Sequence, residues 1–252
     1  MTSRRTILIA AAVFGGAWAL GPTIRRAFRP EFIFDDIPDV PGFVQLVAGE
    51  VTGASTPFAG LDQNASVAPD EAMEGLMSDL CNAVHDAPTP GAVPVAVFTD
   101  YNCPFCRTLN EDIQRLSRRD PPLSVTWHEW PRIAPSSEPA ARAALAAHKQ
   151  GAYIAFHRRL MRTRFQPNDA YLRELAQSVE IDADMLLQDM ASPDVDAALT
   201  RAAGLAALFR LPGTPAMIIG RRLIIGRVSA EELQDLVALE RNAPSGCEIG
   251  RS

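Results

Sequence analysis

Residues 95–119 carry the sequence VAVFTDYNCPFCRTLNEDIQRLSRR. The short apolar run Val95–Phe98 is typical of a buried strand, and apolar residues recur at helical spacing over Leu109–Leu116. Cys103 and Cys106 stand between the two patterns, at the start of the predicted helix. The stretch therefore predicts a strand, a turn and a helix, with a Cys-x-x-Cys pair at the N-terminus of the helix.

A cysteine at the start of a helix has a direct chemical use. Cys103 at the N-cap faces unpaired backbone N–H groups and the positive end of the helix dipole, and both favour the thiolate. Pro104 suits the first helical position, where an N–H is not needed, and the spacing brings Cys106 within disulfide reach. We expect Cys103 to be the exposed nucleophile and Cys106, one turn deeper, to be the resolving thiol.

Two other uses of the cysteine pair are a zinc site and a structural disulfide. Zinc needs two more ligands, and the remaining cysteines and histidines show no second paired spacing. A disulfide between adjacent turns closes a loop too small to stabilise the fold much. The pair therefore favours redox chemistry, and it implies neither a metal nor an organic cofactor.

The other predicted helices and strands, together with this unit, indicate an α/β domain. Two apolar runs separated by Gly220-Arg221-Arg222 predict a hairpin near the C-terminus, and Ser192-Pro193 marks the start of a new helix inside a long helical stretch. The further predicted elements are a helix over Pro69–Val84, a strand over Leu123–Trp130, the helical stretch Ser136–Phe209, the hairpin strands Pro215–Ile219 and Leu223–Ile225, and a last helix that begins with a capping box at Ser229–Glu232.

The N-terminal segment has a different composition from the rest of the chain. Thr6–Ile24 is uncharged, and five arginines flank it before the first acidic residue, Glu31. Ser3-Arg4-Arg5 resembles the start of a twin-arginine export signal, and Ala17-Trp18-Ala19 offers a small-x-small cleavage site. We expect residues 1–29 to be an export signal or, if residues 6–24 are retained, a membrane anchor.

The following segment, 30–68, is rich in Pro, Gly, Asp and Ser. It contains one strand-like run, Phe43–Val47. This composition predicts an extended arm or linker before a domain over residues 69–247.

The charge balance excludes one class of function. The chain has 252 residues, with 24 basic and 30 acidic side chains and a net charge of −6. Without the five N-terminal arginines the balance is 19 against 30, or −11. Nucleic-acid binding requires clustered positive charge, so it is not indicated. A hydrophobic content of 47% also excludes a disordered chain.

Two separated motifs together resemble a known family. Val97–Cys106 (VFTDYNCPFC) and Gly213–Ala216 (GTPA) are similar to the thioredoxin-fold DsbA family of exported thiol-disulfide oxidoreductases, over about Pro94–Arg241. The resemblance implies a thioredoxin-like fold with a helical insertion, at about 136–209, between the second and third core strands.

The resemblance also implies how the site works. Pro215 would be a cis-proline facing the active-site disulfide, with Thr214 before it, and substrates would lie in extended form against the backbone of this loop. The family works in the periplasm, introduces disulfides into exported proteins and is re-oxidised by a partner, either a membrane quinone-linked oxidase or another thiol carrier.

Three residues near the cysteines bear on the comparison with the family pattern. Phe105 stands where many family members have a histidine, and it cannot donate a hydrogen bond to a thiolate. Val97 stands where many thioredoxin-fold proteins have a buried acidic residue that moves protons for the deeper thiol. Asp100 matches the Asp of a Phe-x-Asp-Tyr-x-Cys pattern, and we expect it to cap the turn, with proton transfer as the alternative.

Two further cysteines, Cys81 and Cys247, flank the predicted core. Leftover cysteines in an exported protein often pair, and closing so long a loop is stabilising. We predict a structural disulfide between them, with two free buried thiols as the alternative.

The sequence thus predicts a periplasmic oxidase whose clients are reduced or misoxidised exported proteins. Two other functions stay open. One is a disulfide isomerase or reductase that uses the same Cys-x-x-Cys pair, and the other is a non-catalytic chaperone that binds extended peptides.

Overall fold

The structure is a computed structural model, and it describes residues 32–53, 75–118, 122–163 and 168–247. The chain divides between Ile33 and Phe34, and the unit described below is the one that begins at Phe34. Its elements are β1 (Asp35–Asp36), β2 (Val44–Val47), α1 (Leu80–His85), β3 (Val93–Thr99), α2 (Pro104–Leu116), β4 (Leu123–Glu129), α3 (Ser137–Lys149), α4 (Tyr153–Arg162), α5 (Asp169–Ser178), α6 (Ala183–Asp189), α7 (Pro193–Leu208), β5 (Ala216–Ile219), β6 (Arg222–Ile225) and α8 (Ala230–Asn242).

The strands form one mixed sheet in the order β1-β2-β6-β5-β3-β4. The strand β3 pairs in parallel with β4 and antiparallel with β5, which continues antiparallel into β6. Helices α3 to α7 lie between β4 and β5 in the chain. The predicted thioredoxin-like fold, with a helical insertion between the second and third core strands, is confirmed.

The strand before the cysteines is the buried centre of this sheet. Every residue of β3 is buried, in agreement with its continuous apolar sequence. Ala96 and Phe98 join a core cluster with Val84 of α1 and Leu205 of α7. Alternation points the other side chains of β3 to the opposite face, and α8 packs against β3 and β5. The turn after β3 therefore starts from a fixed position.

The insertion has a core of its own, which reaches Cys103 and Cys106. Alanines line the buried side of α3, and Phe156 and Leu160 of α4 pack with them. Cys103 and Cys106 belong to the same cluster. The insertion is thus packed against the start of α2.

The structure corrects the predicted arm or linker over residues 30–68. Within its described part, β2 pairs in parallel with β6, and Val40 and Phe43 are buried in the main core. The apolar residues of this Pro- and Gly-rich stretch gain burial there, and β2 covers the edge that β6 would otherwise expose. Residues 34–53 are therefore part of the folded unit.

Local signals for helix starts are confirmed. The helix α7 begins at Pro193, after Ser192 as the N-cap. In α8 the Ser229 hydroxyl accepts from the Glu232 N–H, and the Glu232 carboxylate accepts from the Ser229 N–H, which completes the capping box.

Cys81 and Cys247 form a disulfide with an S–S distance of 2.02 Å and a sequence separation of 166 residues. Cys81 lies on α1, and Cys247 is buried in the main core cluster after α8. The bond joins the C-terminal segment to the helix that precedes β3.

The export or anchor segment predicted at residues 1–29 lies outside the described residues. Among the helices of the described ranges, none combines the length and the apolar character needed to cross a membrane.

Candidate active site

The two cysteines lie at the N-terminus of α2, as the sequence predicts. Cys103 is the N-cap, Pro104 is the first helical residue, and the Cys103 sulfur accepts a hydrogen bond from the Cys106 N–H at 3.1 Å. Both cysteines carry free thiols in this structure. The sulfur of Cys103 therefore occupies the position of a helix-capping oxygen, where a negative charge is favoured.

The loop before β5 faces the Cys103 sulfur. The Thr214–Pro215 peptide bond is cis, and the Thr214 carbonyl oxygen lies 3.4 Å from Cys103 Sγ. Strand pairing explains this approach, because Phe98 at the end of β3 is in register with Ala216 at the start of β5. The sheet thus brings together two motifs that are far apart in the sequence.

Cys103 is fully buried, so the prediction of an exposed nucleophile is wrong for this structure. Its sulfur contacts Thr214 of the cis-proline loop and also Thr52, whose Oγ1 lies 3.8 Å away. Thr52 comes from the segment after β2, which the sequence assigned to a linker. A helix-cap position fixes the local chemistry of a cysteine but not which distant segment covers it.

The environment shifts the pKa values of the two thiols in opposite directions. The pKa of Cys103 falls from its ordinary 9.0 to about 6, chiefly because the Cys106 thiol donates a hydrogen bond to the Cys103 sulfur. Burial opposes this shift, whereas the Cys106 N–H and the Thr52 side chain favour the thiolate. Burial raises the pKa of Cys106 well above its ordinary value. At neutral pH the pair therefore holds one thiolate, on Cys103, and one thiol.

The Thr214 side chain has spare hydrogen-bonding capacity beside the sulfurs. Thr214 is buried, and its Oγ1 lacks a hydrogen-bond partner among the described residues. A buried hydroxyl without a partner is costly unless a ligand or another reaction state supplies one. This hydroxyl is placed to respond to charge on either cysteine.

The carboxylate of Asp100 organises the loop between β3 and α2. One oxygen accepts from the Asn102 N–H at 2.7 Å and the Ser137 hydroxyl at 2.8 Å. The other accepts from the N–H groups of Arg132 and Ile133 at 2.7 and 3.0 Å. These four bonds tie the cysteine loop to the start of the insertion, which is the geometry expected of a turn cap.

A buried polar network that the sequence analysis did not identify joins the insertion to the core. Glu129 at the end of β4 accepts hydrogen bonds from the hydroxyls of Tyr101 and Tyr153, both at 2.6 Å. His157 of α4 lies 2.7 Å from the Tyr101 hydroxyl through Nδ1 and 3.2 Å from Asn110 through Nε2. The only sequence signal was an acidic residue near the end of a predicted strand.

His128 of β4 belongs to the core. Its Nε2 lies 2.8 Å from the Val84 carbonyl oxygen, and its ring stacks on Phe98. Burial lowers the pKa of His128 to about 4, so the ring is neutral at pH 7. Within the described ranges, no three His, Cys, Asp or Glu side chains cluster as a metal site.

A helix-capping thiolate, a buried partner thiol and an adjacent cis-proline on a thioredoxin-like sheet define the class of thiol-disulfide oxidoreductases. Residues 94–238 match the DSBA-like thioredoxin domain family. The chain belongs to this family, and it is an enzyme that exchanges dithiols and disulfides.

Solved structures agree with this family. A thioredoxin-like oxidoreductase from Silicibacter pomeroyi has 36% identity and a TM-score of 0.60, covering 64% of this chain and 98% of its own. A periplasmic thioredoxin-like protein from Salmonella enterica serovar Typhimurium has 27% identity and a TM-score of 0.55, covering 66% and 98%. The thiol-disulfide exchange protein alpha-DsbA2 from Wolbachia pipientis, at 21% identity and a TM-score of 0.59, covers 67% and 96% and shares the fold.

Two longer proteins also contain a matching region. The Na(+)/H(+) antiporters NhaA 3 from Salinispora tropica and NhaA 1 from Salinispora arenicola are each 25% identical over 152 residues, which is 60% of this chain. The match spans 23% of each antiporter, so this chain covers less than a quarter of their length.

Proposed function

We propose that this enzyme is an exported oxidase that introduces disulfides into other exported proteins. The observation that carries the proposal is that the Cys103 sulfur caps α2 and accepts the Cys106 N–H, while the Cys106 sulfur is buried. This geometry lowers the pKa of Cys103 to about 6, and burial raises the pKa of Cys106. A stabilised thiolate on Cys103 favours the reduced enzyme, and an enzyme with a stable reduced form is a strong oxidant of its clients.

The proposed cycle starts from the Cys103–Cys106 disulfide. A client thiolate attacks Cys103 Sγ, a client–Cys103 disulfide forms, and Cys106 leaves with the electron pair and takes up a proton. A second client thiolate then attacks the client sulfur of this mixed disulfide and releases Cys103 as a thiolate. The client loses two electrons, and the enzyme gains them as its dithiol.

Two further residues have proposed roles in this cycle. Thr214 and Pro215 bind the client backbone in extended form beside Cys103, supported by the 3.4 Å approach of the Thr214 carbonyl to the sulfur. Asp100 is a turn cap, and its four accepted hydrogen bonds favour that role over proton transfer.

The proposal places the reaction outside the cytoplasm. Support comes from the uncharged, arginine-flanked segment 6–24, which we propose as an export signal or anchor, and from the similarity to a periplasmic protein of Salmonella. Re-oxidation then transfers two electrons from the dithiol to a membrane quinone-linked oxidase or to another thiol carrier.

Assays on two forms of ribonuclease test the proposed direction. The oxidised full-length enzyme should convert reduced ribonuclease to disulfide-bonded forms, with one enzyme dithiol appearing for each client disulfide. We expect little recovery of active ribonuclease from the scrambled, fully oxidised form, because isomerisation needs Cys103 held reduced.

The opposite pattern would overturn the oxidase proposal. If the enzyme rescues scrambled ribonuclease and fails to oxidise the reduced form, it is an isomerase or reductase that uses the same pair. If both assays are negative and the protein still suppresses aggregation of unfolded ribonuclease, the chaperone function is the correct one.

A further inference from the structure

A segment outside the matched family domain lies against the reactive sulfur. Thr52 Oγ1 is 3.8 Å from Cys103 Sγ, and Thr52 precedes the matched residues 94–238. Its backbone pairs with the cis-proline loop, because the Thr52 N–H donates to the Thr214 carbonyl at 2.7 Å and the Thr214 N–H donates to the Thr52 carbonyl at 3.1 Å. These two bonds form an antiparallel bridge at the active site.

Gly213 leaves room for the pairing of Thr52 with Thr214. A Cβ atom at Gly213 would lie 2.5 Å from the Thr52 carbonyl oxygen, so a side chain at this position would push the segment away from the loop. The glycine of the Gly-Thr-Pro motif therefore provides the space in which an extended backbone lies beside Thr214.

The segment is anchored upstream of the site. The Ala48 N–H donates to the Ile225 carbonyl at 3.0 Å, and the Glu50 carbonyl accepts from the Arg227 N–H at 3.1 Å. These bonds hold the chain to the end of β6. Thr52 can therefore leave Thr214 while the parallel pairing of β2 with β6 stays intact.

The Thr52–Thr214 bridge uses the backbone groups that an extended client would need. A single N–H makes one strong hydrogen bond, and strand addition needs both the N–H and the carbonyl of the recipient residue. A client backbone and the Thr52 segment therefore cannot pair with Thr214 at the same time.

We propose that Val51–Gly53 occupies the client-binding edge of the cis-proline loop in the free enzyme, and that a client must displace it to reach Cys103. This inference rests on the proposed function of Cys103 as the nucleophile. This competition makes the enzyme selective for extended polypeptides over small thiols. An extended polypeptide replaces the two hydrogen bonds that Thr52 loses, whereas a small thiol does not.

Alkylation of the reduced, full-length protein tests this inference. Thr52→Pro removes the N–H donor of the bridge, and Thr52→Val keeps that donor while removing the hydroxyl. We expect iodoacetamide to alkylate Cys103 about tenfold faster in the proline variant, at equal thiolate content, because one net hydrogen bond is lost and a carbonyl is left unpaired. The valine variant should react within about twofold of the wild type on the same scale. Thiolate content comes from ultraviolet absorbance, and circular dichroism checks that each variant is folded.

A second measurement does not depend on the proline variant. A short unstructured peptide, whose one cysteine is activated as a mixed disulfide with thiopyridine, reacts with the Cys103 thiolate of the Cys106→Ser variant. Thiopyridone leaves, the peptide stays bound through a Cys103–peptide disulfide, and hydrogen exchange is compared with the free variant. The Thr52 amide should lose protection while the Thr214 amide keeps it. Equal alkylation of wild type and Thr52→Pro, or an unchanged Thr52 amide in the trapped complex, would overturn the inference. Alkylation at Cys106 in place of Cys103, shown by peptide mapping, would instead overturn the proposed role of Cys103.

Discussion

Cys103→Ser is expected to reduce client oxidation by about a thousandfold or more, because serine cannot form a disulfide with the client or with Cys106. The structure gives a specific reason to expect this at Cys103. Its sulfur is the helix cap and has the lowered pKa, whereas the raised pKa of Cys106 keeps that sulfur a thiol. Turnover of reduced ribonuclease, followed by alkylation and gel shift, measures the effect.

Cys106→Ser is the matched control for this substitution. It removes the resolving thiol but keeps the nucleophile, so a mixed disulfide with an oxidised probe peptide should form and persist. Mass spectrometry should locate that bond at Cys103. A mixed disulfide that forms on Cys106 in the Cys103→Ser variant, at the wild-type rate, would contradict the assignment of roles.

The double variant Cys81→Ala/Cys247→Ala is expected to lower the free energy of unfolding by about 5 kcal/mol in the chain-entropy description of a loop of this length. The bond closes 166 residues, which include the whole catalytic sheet from β3 onward, so its loss frees most of the unfolded chain. Total stabilities of domains are about 5–15 kcal/mol, so this is a large fraction. Urea unfolding of the oxidised protein measures it.

The active-site chemistry provides the control for that experiment. Cys247 lies in the main core and Cys81 packs against it, away from the cluster that holds Cys103 and Cys106. At a temperature where the double variant is folded, its rate of client oxidation should stay within about twofold of the wild type. An unfolding midpoint equal to that of the wild type would show that this disulfide contributes no stability.

The parts of the fold that sequence predicts are those with local signals. The apolar run of β3, the Pro104 start of α2 and the Ser229 capping box each specify an element through neighbouring residues, and each is present. The role of β2 could not be predicted in this way. The position of β2 depends on parallel pairing with β6, and the sequence near Val44–Val47 does not indicate which strand of the sheet it pairs with.

The same limit applies to the site. The Cys103–Cys106 spacing and the Gly-Thr-Pro motif can be recognised in the sequence because each motif is a contiguous stretch of residues. Thr52 lies in a Gly-, Ser- and Thr-containing stretch with no pattern of its own, and its contact with Cys103 exists only because β2 docks on β6. The Glu129–His157 network is hidden for a similar reason, since its members come from β4, α4, α2 and the loop before α2.

The pKa of Cys103 also fixes how the reduction potential varies with pH. The folded pKa is depressed, so the stabilisation of the reduced enzyme is fully present above the ordinary thiol pKa and is lost as pH falls through about 6. Reduction takes up two protons below that pH and one proton above it, because Cys106 stays protonated. The potential should therefore fall by about 59 mV per pH unit below the break and about 30 mV above it.

The reduction potential of the Cys103–Cys106 couple, measured on the full-length protein in glutathione buffers, tests the proposed oxidase most directly. We expect a value at neutral pH clearly above that of thioredoxin, which is about −270 mV, with the change of slope near pH 6. A potential at or below the thioredoxin value, with a single slope across this range, would contradict the stabilised thiolate on which the proposed oxidase depends.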